Sequence, residues 1–91
     1  MSKDLLLLLE QDGELRATFE AVAGDRRIRF GELSEALSVD RKALLNRLHE
    51  LERVRLIKSR ESPGGVEGLR WYSVTARGLA VERRLRRLEL A

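Results

Sequence analysis

Apolar positions recur along this chain at helical intervals, and two short stretches break that beat with strand-like runs. "DLLLLLEQD" at 4–12 predicts a short helix, with Ser2 or Asp4 able to cap its start, and Asp12-Gly13 breaks or kinks it. "ELRATFEAVAG" at 14–24 sets Leu15, Phe19 and Val22 at i, i+4, i+7, with Gly24 where a helix would stop. "RIRF" at 27–30 alternates charged and apolar side chains, as a short edge strand does. "GELSEAL" at 31–37 predicts a brief helix with Gly31 at its N-cap and Leu33, Ala36 and Leu37 turned inward. Ser38-Val39 follows, and Asp40 then caps a longer helix, 40–53, whose buried stripe is Leu44, Leu48 and Leu51. Two helices joined by so short a turn must cross steeply, which is a helix-turn-helix.

"LIKSR" at 56–60 and "LRWYSV" at 69–74 are rich in residues that suit a pleated surface. Between them "ESPGGVEG" holds Pro63, Gly64, Gly65 and Gly68, a tip too long for a two-residue hairpin. Trp71 is assigned to the core at the base of this hairpin, with adjacent Tyr72 on the opposite face. Thr75 can cap a last helix to about Leu90, with Val81, Leu85 and Leu88 on one side. Arg83, Arg84, Arg86 and Arg87 lie on the others, read as solvated partners of Glu82 and Glu89. The expected fold class is α+β, mostly α. One domain, 1–91, holds a winged helix-turn-helix with a β-hairpin wing at 56–74 and extra terminal helices.

The apolar fraction of 43% is ample for a core, but aromatics are only 4%, so leucine and valine must fill it. The chain has no cysteine, which excludes disulfides and thiolate chemistry, and one histidine gives little basis for a transition-metal site. No cofactor is expected. The five leucines at 5–9 are too short a run to span a bilayer or to form a secretory core, so a cytoplasmic, intracellular protein is expected. The same run covers more than a full helical turn, so part of it should meet a second surface. A homodimer through terminal helices 2–12 and 75–90 is therefore expected, using Leu5, Leu8, Leu9, Val81, Leu85 and Leu88. The alternative is that the first helix folds back on the chain's own last helix.

Charge is unevenly spread. Residues 1–25 hold two basic and six acidic side chains, whereas residues 26–60 hold ten basic and five acidic. The excess begins where the helix-turn-helix pattern begins, which points to a polyanionic partner for that part. Arginine outnumbers lysine 15 to 3, a leaning compatible with a thermophile.

The element order, with "RFGELSEAL", "LLNRLHELERVRLI" and "WYSVTARGL", resembles the winged helix-turn-helix regulators of the HxlR and MarR type. The matching residues are Arg29, Phe30, Glu32 and Leu33, then Leu44, Leu48, Leu51, Glu52, Leu56 and Ile57, then Tyr72, Val74, Thr75 and Gly78. They span about 28 to 80. Where the family has glycine before the "LI" strand, this chain has Arg55, so a slightly different helix exit is expected; a left-handed residue there costs roughly 1 kcal/mol without glycine. Glu61 and Glu67 in the wing oppose phosphate contact near its tip.

The resemblance implies a sequence-specific, double-stranded-DNA-binding transcription regulator, with helix 40–53 in the major groove and wing 56–74 on the backbone. A duplex major groove about 12 Å wide admits one helix. Stepping 100° per residue from Leu44, the positions facing away from the core are Lys42, Asn46, His49 and Arg53. Lys42 suits guanine O6 and N7, and Asn46 suits adenine N6 and N7 in a bidentate pair. Arg41 and Arg47 suit base edges or phosphates, and Lys58, Arg60 and Arg70 suit the backbone. Arg26, Arg27 and Arg29 could extend that surface. Taken alone, an amphipathic helix with arginines outside is ordinary for a soluble protein, and His49 alone reads as a bland exposed side chain. The rival to DNA binding is a winged helix used for protein contact inside a larger assembly. An enzyme is not expected: the lone histidine has no neighbouring nucleophile, and the glycine-rich stretch joins two strands, not a strand and a helix. No convergent polar set marks an effector site between the terminal helices.

Overall fold

A computed structural model describes residues 2–25, 27–61 and 70–90, with side chains described from Leu5 to Leu88 apart from the intervening gaps. The expectations for Arg26 and for the 62–69 tip with its glycines and Glu67 lie outside the described residues, and those for Ser2 and Asp4 as caps and for Glu89 lie outside the described side chains. Eight elements follow in order: α1 (Ser2–Gln11), α2 (Gly13–Ala23), β1 (Ile28–Arg29), α3 (Phe30–Leu37), α4 (Arg41–Arg53), β2 (Ile57–Arg60), β3 (Trp71–Val74) and α5 (Ala76–Leu90). The three strands form one antiparallel sheet in the order β1-β3-β2, so β1 is the edge strand its alternation predicts.

Asp12 separates α1 from α2 outright. Its backbone N–H donates to the Leu8 carbonyl at 3.0 Å, closing α1. Its side chain accepts from the Leu15 N–H at 3.0 Å, capping α2 and offsetting one orphan donor of the first turn. Gly24 ends α2 with φ −73°, a conformation any residue adopts. At α3 the structure differs from the sequence reading. The helix starts at Phe30, one residue earlier, and Arg29 occupies the N-cap. Glu32 reaches back to accept from the Arg29 N–H at 3.3 Å, which supplies the satisfaction that Gly31 has no side chain to give. Leu33 is buried, but Ala36 is exposed and Leu37 half-buried, because so short a helix meets α2 along little more than one line.

The turn between α3 and α4 is tied internally. Ser38 is left-handed (φ 51°), the Val39 N–H donates to the Ser34 carbonyl at 3.4 Å, and the Ser34 hydroxyl donates to the Val39 carbonyl at 3.0 Å. Asp40 then caps α4, its carboxylate accepting from Ala43 N–H at 2.9 Å. The far end of α4 closes with a Schellman motif: Leu56 N–H donates to the Leu51 carbonyl (3.0 Å) and Arg55 N–H to that of Glu52 (2.9 Å). Arg55 holds the left-handed position (φ 63°) that glycine would occupy at less cost. The exit geometry is thus kept, with arginine in it.

The core runs through all five helices and the inner face of the sheet. Phe19, Leu33, Leu44, Leu48, Leu51 and Leu56 are fully buried, each worth roughly 1.5–3 kcal/mol of apolar burial. Leu5, Leu9, Val81 and Leu85 belong to this same core, so α1 folds back on α5 within one chain. Their assignment to a dimer contact is therefore corrected: these four are already covered by the chain's own packing. Leu8 is partly buried against the core. Of the six, Leu88 keeps an open surface at 55% exposed; Leu7, at 51%, and Leu79, at 39%, are also exposed.

A last junction joins wing and terminal helix. Thr75 N–H donates to the Leu56 carbonyl at 3.1 Å, and its hydroxyl donates toward the Arg55 carbonyl at 2.7 Å. The same hydroxyl oxygen accepts from Gly78 N–H at 2.9 Å, capping α5. A Cβ on Gly78 would stand 2.1 Å from the Leu56 carbonyl oxygen, so only glycine fits where α5 crosses that carbonyl.

Candidate nucleic-acid interface

Because Leu44, Leu48 and Leu51 are wholly buried, the opposite side of α4 is forced outward. Lys42, Asn46, His49 and Arg53 are all exposed, one per turn, as the 100° step predicts. Not all the cations near that stripe are available. Arg53, in the last turn, donates to Glu50 through Nε (3.1 Å) and through a second nitrogen (2.5 Å). That hydrogen bonding lowers the Glu50 carboxyl below its usual range and raises the Arg53 guanidinium. Arg47 is expected among the DNA contacts, but its guanidinium donates to Glu14 at the start of α2 at 2.8 Å, with the side chain only 19% exposed. Arg47 instead fixes α4 to α2. Arg41 stacks over Phe30, its guanidinium carbon 5.6 Å from the ring centroid. The open part of α4 is its first three turns, with Lys42, Asn46 and His49 on the outer face and backbone N–H groups at the N-terminus.

The wing strands divide similarly. Lys58 and Arg60 project from the outer face of β2 and are exposed. Arg70 donates to Glu61 at 2.6 Å and to the Ser59 hydroxyl at 3.3 Å, and the Glu61 bond raises its guanidinium further. Glu61 thus offsets a wing cation. Tyr72, expected on the face opposite the core, is instead the aromatic buried on the inner face, and desolvation pushes its phenol up. Trp71 is not core. It lies half-buried on the outer face, with Arg27 and Arg29 guanidinium carbons 4.8 and 4.5 Å from its ring centroid. The signal for this was present in the alternation of "RIRF", which places Arg27 and Arg29 on one side of an edge strand, but the pairing of β1 with β3 is needed to bring them to Trp71.

On the far side of the molecule, an open groove of about 560 Å³ runs between α1 and α5. Leu5, Ala80 and Val81 form its floor and Arg77, Arg83, Arg84 and Arg87 surround it, a cationic rim that the sequence reading did not find. Among the described residues no group of His, Cys, Asp or Glu side chains could hold a metal ion. No described helix is long and apolar enough to cross a membrane.

The model of the HxlR-like helix-turn-helix family matches residues 14–90. The chain belongs to the HxlR-like helix-turn-helix family. The solved structures it resembles extend that kinship to MarR proteins. A transcriptional regulator assigned to the MarR family from Porphyromonas gingivalis W83 superposes with TM-score 0.76 and 25% identity, over 91% of this chain and 80% of that one. The MarR-family transcription regulator SP03579 gives 0.74 and 27%, over 85% of this chain and 50% of its own. Lactococcus lactis ZitR, as the C30AH42A mutant, gives 0.72 at 20% identity, over 84% and 51%, and shows the fold alone. The HxlR-like chain spans about half the length of the last two. No match is found among curated protein sequences. The winged helix-turn-helix, mostly helical with a small antiparallel sheet, is the architecture of a family of transcription regulators.

Proposed function

We propose that this chain is a sequence-specific, double-stranded-DNA-binding transcription regulator that works by occupying an operator, without covalent chemistry. The observation that carries the reading is the outer face of α4. Its seam is fully buried, so Lys42, Asn46 and His49 stand on a rigid, capped helix at the end that helix-turn-helix proteins present to base edges. Lys42 reads guanine, and Asn46 reads adenine through a bidentate pair. Lys58 and Arg60 set position on the backbone. Arg41 lies beside the first turn, suited to a nearby phosphate. Arg47, Arg53 and Arg70 contribute indirectly, by holding α4 and the wing in place through their carboxylate partners.

A homodimer supports operator binding best, because two recognition helices about 34 Å apart match one duplex turn over a palindromic site. Among the described residues, the large apolar side chains left exposed for it on the terminal helices are Leu7, Leu79 and Leu88. Such a regulator works in the cytoplasm. Selection of bound sequences from a random duplex pool tests symmetry and half-site spacing together. Asn46→Ala should cost roughly 1–3 kcal/mol on the selected site and relax one position. Sedimentation showing a monomer at tens of micromolar would remove the dimer. The second reading, a protein-contact module in a larger transcription or replication assembly, draws support from Glu61, which neutralises Arg70 on the wing. Such a module would show no steep salt dependence on random duplex DNA.

A further inference from the structure

The outer face of the sheet gathers more positive charge than a wing needs. Register places Arg29 and Arg60 on either side of Trp71, from β1 and β2, while Lys58 lies opposite Ser73. Arg27 joins from just before β1. A shallow groove runs along this face, lined by Arg27, Lys58, Arg60 and Trp71 with two serines. Neighbouring strands are about 4.8 Å apart, and alternate residues on a strand about 7 Å, so four cations crowd one small face. Elsewhere in the chain arginines such as Arg16, Arg47, Arg53, Arg70 and Arg86 make carboxylate pairs. Among the described residues, Arg27, Arg29, Lys58 and Arg60 have none. Like charges left unpaired in this way repel, and a polyanion relieves the repulsion.

We infer that this Trp71-centred face is a phosphate-binding strip for the flank of the same duplex that α4 reads, with Arg27 and Arg29 as its chief cations. The inference rests on the DNA-binding reading and extends the footprint past the wing. Stacking on the indole holds each guanidinium plane while leaving its N–H edge outward, a fork already set for phosphate oxygens. Phosphates fit better than stacked bases, because the two guanidinium groups already occupy the ring. The strip also runs on into the helix. Arg29 lies over Trp71, its chain neighbour Phe30 carries Arg41, and Arg41 is the first residue of α4. One continuous line of contacts therefore joins the sheet face to the N-terminus of the reading helix, which favours a single duplex over a separate acidic protein.

The chain's single tryptophan makes the test direct, since all indole emission comes from this face. Titration of the full chain with a random-sequence 25-base-pair duplex should change Trp71 emission at low salt and reverse at high salt. An Arg27→Gln/Arg29→Gln variant, checked for an unchanged melting temperature, should lower the slope of log K against log salt by about two. Asn46→Ala should leave that slope alone. If the wild type binds duplex but emission stays fixed and the variant keeps the full slope, the strip is overturned while the function of α4 stands. If emission responds to polyglutamate and not to duplex, the face docks an acidic protein and the inference falls. If the wild type binds no duplex at all, the regulator reading and the strip fall together.

Discussion

Helices α4 and α5 are made from the same ingredients, a leucine-rich seam and a set of arginines, and the chain uses them differently. On α4 the three seam leucines are wholly buried and both ends are tied, by Asp40 at the start and the Schellman motif at Arg55. On α5 the start is tied by Thr75, but the seam runs out: Val81 and Leu85 are buried, while Leu88 is 55% exposed. Ion pairing does not divide them: Arg86 of α5 pairs with Glu82 one turn back, and on α4 Arg47 and Arg53 pair with Glu14 and Glu50. A count of basic residues thus separates the two helices poorly. What separates them is how firmly the backbone beneath the exposed stripe is held.

The comparison can be broken most severely at the root of α5. Gly78→Ala drives a methyl group into the Leu56 carbonyl, and about 3 kcal/mol of stability should go, lowering the melting temperature by more than about 10 °C in calorimetry. A milder loss is expected at the root of α4. Asp40→Ala removes the acceptor for Ala43 N–H and should cost about 1 kcal/mol in urea unfolding, with no change in m-value. The far end of α4 should respond in the opposite direction. Arg55→Gly relieves the left-handed arginine and should stabilise the fold by roughly 0.5–1 kcal/mol, offset in part by added freedom in the unfolded chain. A destabilised variant would mean that the Arg55 side chain makes a contact worth more than the strain. The smallest effect belongs to α5's Arg86–Glu82 pair, in which Arg86 is 72% exposed and the Glu82 side chain 13%. Arg86→Ala should shift stability by less than about 0.5 kcal/mol, and high salt should shrink the difference.

Local chemistry was the legible part. Asp40 and Thr75 cap the helices that follow them, as read, because a cap depends on only three or four residues of chain. Asp12 is read only as a break or kink, and its capping of α2 is seen in the structure. The seams of α2 and α4 were equally plain, being set by a period that needs no partner to define it. Apart from the N-cap of α3, which is Arg29 and not Gly31, the misreadings involve a second element. Arg47 looks like an outward cation until Glu14, 33 residues earlier, is brought against it. Trp71 looks like core until β1 pairs with β3 and its arginines cover the ring. Leu5, Leu9, Val81 and Leu85 look like surplus apolar surface until α1 lies on α5. Helix periodicity reports which side is apolar and not who covers it. At the candidate interface, Lys42, Asn46 and His49 were legible for the same reason: their outward direction follows from the leucines alone.

The single carbonyl of Leu56 receives Thr75 from one side and lies against Gly78 on the other, with no slack between them. It acts as a rivet through three plates, the exit of α4, the first wing strand and the root of the last helix. A substitution that displaces that one carbonyl therefore strains all three together.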